Sequence, residues 1–128
     1  MRYAVALILI AAATGAAAQV TTSAGFPVHD VDAACAAFAD RTARAGNTSR
    51  NVAMNICLHE EQEGYDTARL LWDQVSPPRR QECSAHADSL GAPNYYRGLG
   101  YCLEAKAAVE ANERQGQGMR EKPQGFRY

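Results

Sequence analysis

The chain has no C-x-x-C pair, no glycine-rich phosphate loop and no serine in a nucleophile motif. The first absence argues against a zinc ribbon and against a thioredoxin-like redox motif. "GLG" at Gly98–Gly100 falls inside a helical pattern with no strand–helix unit after it, so nothing marks a nucleotide site. Positive charge is not in excess either. Thirteen Lys and Arg face fourteen Asp and Glu, and the basic face that nucleic acid requires is missing. No stretch alternates apolar and polar residues strongly enough to make a strand, which points to an all-α chain. After residue 18 no apolar run approaches the about 20 residues that span a bilayer, so no membrane span is expected in the mature protein.

The one long apolar run present is at the start. Arg2 supplies a positive end, "YAVALILIAAA" (Tyr3–Ala13) an apolar core, and Ala16 and Ala18 the small residues a signal peptidase reads. Residues 1–18 are therefore predicted to be a secretory signal peptide, placing the mature chain in the periplasm or outside the cell. Cleavage removes Arg2 and leaves twelve basic residues against fourteen acidic ones, in a single small domain. Residues 19–29 contain Gly25 and Pro27 and show no periodicity, so they read as an unstructured leader. Residues 114–128 carry three glycines and a proline among polar residues, which predicts a disordered tail. The helical domain is expected between them, over 30–113.

Four cysteines, Cys35, Cys57, Cys83 and Cys102, all lie in the mature part. An even count in a short exported chain reads as disulfides. Four helical segments carry them. Asp30 is a candidate N-cap for the first, which has Val31, Cys35 and Phe38 at helical spacing and ends at Gly46. Thr48 or Ser49 can cap the second, about Arg50 to Val75. Its stripe is Met54, Leu58, Glu61, Tyr65, Ala68, Trp72 and Val75, with Cys57 and Gly64 beside it. Ser76 with Pro77 and Pro78 starts a third, whose inner face is Cys83, Ala87 and Leu90. The fourth runs from about Asn94 to Arg114, with Tyr96, Leu99, Leu103 and Ala107 on one stripe. Short connections favour antiparallel neighbours, hence a small disulfide-stapled up-and-down bundle of about four helices. Residues paired across a hairpin should lie equally far from its turn, because a helix rises about 1.5 Å per residue. That favours Cys35–Cys57 with Cys83–Cys102. Cys57–Cys102 with Cys35–Cys83 is the alternative.

The chemistry-bearing residues are few. His59 and Glu63 share a helix face and are the weak metal candidates, but a zinc site needs three or four ligands and no spacing brings in more. The competing reading is a solvated i,i+4 pair, and no metal or other cofactor is expected. Glu61 is the one carboxylate on an apolar stripe. It reads as a buried polar contact, with Arg69, Arg97 or a tyrosine hydroxyl as partner. An acid/base role for Glu61 with a histidine is the rival reading. Tyr96 and Trp72 are expected in the core with Leu99. Tyr95, Arg97 and Tyr101 are then candidates for an exposed binding surface.

The order Cys57, "EEQ" at Glu60–Gln62, Trp72, Cys83, Tyr96 with Leu99, and "CLE" at Cys102–Glu104 resembles that of a family of small exported cysteine-containing helical proteins of alphaproteobacteria. A serine usually precedes the tyrosine in that pattern, and Tyr95 stands there in this chain. The resemblance implies a periplasmic location and a helical cysteine scaffold, and it carries over no catalytic residue and no ligand. The expected function is a non-enzymatic module that binds an envelope protein partner. The alternative is a periplasmic protein that binds a small molecule or metal.

Overall fold

The computed structural model describes residues 25–121. The expected signal peptide, the first six residues of the leader and the last seven of the tail lie outside the described residues. Among the described residues the chain is all-α, without strands. Helix α1 spans Val31–Arg44, α2 Arg50–Leu71, α3 Pro77–Leu90 and α4 Tyr95–Glu121. A 3₁₀ turn over Trp72–Gln74 tightens the end of α2.

The helix starts follow local chemistry. Asp30 caps α1, its carboxylate accepting the Ala33 N–H at 3.0 Å. Ser49 rather than Thr48 caps α2, through the Val52 N–H at 3.4 Å. Gly46 and Gly91 sit just after α1 and α3 at φ +75° and +68°. There a side chain would meet the backbone, so glycine ends each helix at least cost. Ser76 occupies the cap position of α3, but its side chain makes no capping bond. Its N–H instead donates to Glu110 Oε1 of α4 at 3.0 Å, and Pro77 and Pro78 have no N–H to satisfy.

Two antiparallel hairpins result. Cys35–Cys57 staples α1 to α2 and Cys83–Cys102 staples α3 to α4, with Cα separations of 5.6 Å and 5.5 Å. This is the favoured pairing, and it leaves no free cysteine among the described residues. Each link restricts the unfolded chain across 22 and 19 residues, which is worth about 3 kcal/mol apiece. The hairpins join where α2 packs against α4, while α1 rests on α2 and α3 rests on α4. Tyr96, Leu99 and Leu103 of α4, Ala68, Trp72 and Val75 of the α2 end, and Cys83 and Ala87 of α3 share one core. Ion pairs fasten the α3–α4 seam: Arg79 reaches Glu110 and Glu113, and Lys106 reaches Glu82.

Four expectations need correction. Of the expected α2 stripe, Glu61, Ala68, Trp72 and Val75 are buried, but Ala53, Cys57 and Gly64 are innermost where Met54, Leu58 and Tyr65 were expected, and those three are only partly buried. Burial here follows the closest backbone approach, and small residues occupy it while larger ones flank. Leu90 is 46 % exposed rather than part of the inner face of α3. Helix α4 runs past Arg114 to Glu121, into the stretch read as disordered. Propagating a helix that the core has already nucleated costs little, and Arg114 lies over Glu110 one turn back. The leader's last residues lack regular structure but are pinned. Phe26 packs on Tyr65, Trp72 and Tyr96.

Candidate functional site

The α2–α4 crossing decides where a site is possible. Gly64 stands against the first turn of α4 so closely that a Cβ there would lie 2.4 Å from the Arg97 nitrogen and 2.5 Å from the Tyr96 carbonyl. Gly100, one turn further along α4, faces Gly64 in return, its own Cβ position being 2.9 Å from the Gly64 oxygen. Backbone meets backbone, with Thr67 beside the contact at 3.4 Å from the Cβ position of Gly100. Two clefts flank this contact, one on each side.

On the first flank lies a groove of about 480 Å³. Its floor is Gly64, Thr67 and Gly100, and its walls carry Glu60, Glu63, Asp66, Glu104, Arg97 and Tyr101. Among the described residues four carboxylates therefore face a single cation. Arg97 Nη1 donates to Glu60 Oε2 at 2.9 Å across the two helices. The Tyr101 hydroxyl, and after it the Glu60 charge, hold Arg97 still more firmly protonated than usual. Tyr101 is 64 % exposed.

On the second flank lies a more apolar cleft of about 640 Å³. Val28 and His29 of the leader, Val31 of α1, Leu58, His59, Glu61 and Tyr65 of α2, and Tyr96 of α4 line it. Glu61 is buried, and its partner is none of the side chains expected. Oε2 accepts the Tyr96 N–H at 2.9 Å, so a carboxylate of α2 caps the first turn of α4. Burial pushes its pKa above the ordinary 4.5, and the Tyr96 and Arg97 amides offset this only in part. Its second oxygen, Oε1, is shut from solvent and has no hydrogen-bond partner among the described residues.

The leader closes one side of that cleft. Tyr96 Oη accepts from the His29 N–H at 2.9 Å and donates to the Pro27 carbonyl at 3.0 Å. The His29 ring stacks on Tyr95 with centroids 3.6 Å apart. Tyr95 is thus buried, against the expectation that it joins Arg97 and Tyr101 on the surface. Its place at N1 of α4 turns the ring toward α3 and the leader. Burial, and then the Asp88 charge, raise its pKa to about 12. Arg97 and Tyr101 do share the acidic groove.

His59 and Glu63 meet at 3.3 Å as an exposed pair on α2. Among the described residues no third His, Cys, Asp or Glu joins them in a group able to hold a metal ion. His29 and His59 border the cleft of Glu61, but the hydrogen bond that Glu61 makes goes to backbone. Sequence reasoning gave two contributors no part in the site. Phe26 carried a signal, as a large aromatic in a polar leader, and Gly64 carried one as a glycine in the middle of a long helix.

Two disulfides are features of a protein that folds outside a reducing cytosol. Among the described residues no helix is long and apolar enough to cross a membrane. No family model, curated protein or solved structure matches the chain.

Proposed function

We propose that this chain is a non-enzymatic, exported binding module of the periplasm that presents the acidic α2–α4 groove to another envelope protein. The observation that supports it is the groove's construction. Its floor is backbone held at contact distance by two glycines, and its rim sets one exposed tyrosine among four carboxylates and one arginine. Tyrosine and arginine are enriched in protein interfaces. Both helices of the groove are cross-linked, so little ordering entropy would be lost on binding. The excess of carboxylates favours a partner segment bearing lysine or arginine. The leading apolar run and the resemblance to small exported helical proteins support the compartment.

A photoreactive amino acid at position 101, expressed with the native leader, tests this reading. It should yield a discrete cross-linked species in the periplasmic fraction, and Glu63→Lys with Asp66→Lys should abolish it. A probe at 101 that captures nothing discrete, or capture indifferent to the charge reversal, would reject the groove as the binding surface.

A further inference from the structure

Glu61 uses one carboxylate oxygen for the fold and leaves the other idle. Oε2 caps α4, whereas Oε1 is buried without a partner among the described residues. An unsatisfied buried acceptor is costly, and more so on a charged group. The cleft that Glu61 lines, about 640 Å³, falls within the roughly 300–1,000 Å³ of small-molecule sites. Val31, Leu58 and Tyr65 give it apolar and aromatic walls, and its acidic lining residues are Glu61 and Asp32. Among the described residues neither lysine nor arginine lines it, and its other titratable walls are the imidazoles of His29 and His59. Walls of this kind favour a ligand with a hydrogen-bond donor at one end, positive charge, and an apolar body.

We propose that this cleft binds a small organic cation, a protonated amine on an apolar body, whose N–H donates to Glu61 Oε1. The apolar body lies against Leu58, Val31 and Tyr65. Aromatic faces add to the attraction for an ammonium group. Residues 26–29 act as a strap over one side, hung on the Tyr96 hydroxyl by two hydrogen bonds. Because Oε1 is closed to solvent, the amine reaches it when the strap lifts. The cleft lies on the opposite flank of the α2–α4 crossing from the acidic groove, so the two proposals stand or fall separately.

The test is an NMR titration of the oxidised protein with 2-phenylethylamine, beside 3-phenylpropionate, which carries a similar body and the opposite charge. The amine should bind saturably, shift the amides of Leu58, Glu61, Gln62 and Tyr65, and raise the melting temperature with the logarithm of its concentration. The carboxylate should bind at least tenfold more weakly. Glu61→Gln should lower amine affinity at least tenfold. Leu58→Trp fills the cleft and leaves Glu61 in place, and it should do the same. No saturation below about 10 mM, a range that still detects very weak complexes, would overturn the proposal. So would equal affinity for the two probes, or shifts confined to Thr67, Gly100 and Tyr101.

Discussion

Replacing Gly64 with alanine is the sharpest probe of how the two hairpins meet. In an exposed helix the change is favourable by about 1 kcal/mol, because alanine loses less backbone entropy. At this site the new Cβ would lie 2.4 Å from the Arg97 nitrogen and 2.5 Å from two atoms of Tyr96. Reaching an ordinary contact of about 3.5 Å requires α4 to withdraw by about 1 Å. These neighbours are backbone atoms of a helix held by a disulfide, so they cannot rotate away. Overpacking of this kind costs about 1–3 kcal/mol. The same withdrawal stretches the 2.9 Å bond from the Tyr96 N–H to Glu61, a charge-assisted bond worth about 1.5–3 kcal/mol. The two costs overlap, and after the propensity gain a net loss of about 2–3 kcal/mol remains. For a domain of this size that lowers the melting temperature by about 10–20 °C. Thermal unfolding followed by circular dichroism, with disulfides intact, reads it directly. Gly116→Ala supplies the reference, since among the described residues no atom lies within 4 Å of a Cβ there, and it should leave the midpoint unchanged or slightly higher. If Gly64→Ala matched Gly116→Ala, the close backbone crossing would be wrong, and with it the origin of both clefts.

Three more outcomes are expected. Phe26→Ala should cost about 2 kcal/mol, less than a fully buried phenylalanine, and should speed amide exchange at His29, whose N–H is held by Tyr96. Removing Cys35–Cys57 by double serine substitution should cost about 3 kcal/mol. Hydrogen exchange should then show α1 opening ahead of the α2–α4–α3 core, because α1 packs mainly on α2. Stability against pH should carry two opposite terms, measured by urea midpoints between about pH 3 and 8. Glu82, Glu110 and Glu113 have lowered pKa values, held by Lys106, Ser76 and Arg79 respectively. Their stabilisation is present above the ordinary 4.5 and is lost as pH falls through the lowered values, and Arg79→Met should flatten that acid slope. Glu61 is raised, so its contribution is full below 4.5 and is lost as pH rises through the shifted value. Glu61→Gln should therefore gain on the wild type as pH increases. A variant that tracks the wild type at every pH would show that Glu61 is not held as described.

The sequence by itself placed four helices and several of their ends, and it favoured the sulfur framework that the fold adopts. Asp30, Gly46, Ser49 and Gly91 act on their own neighbours within a few residues, so their effect is written locally. The observed pairing of Cys35 with Cys57 and of Cys83 with Cys102 was favoured by helix rise and distance to the turn, which are also local quantities. Tyr96, Leu99 and Leu103 were legible because large apolar residues at helical spacing dominate the core they make. What pairs two distant segments was not legible. Gly64 is buried because Tyr96 and Arg97 arrive there, Glu61 is capped to α4 for the same reason, and Tyr95 is covered by His29 from the leader. Spacing along one helix tells which residues share a face. Only the arrival of another backbone decides which residues of that face are innermost, what a buried carboxylate such as Glu61 is paired with, and where a cleft is left open.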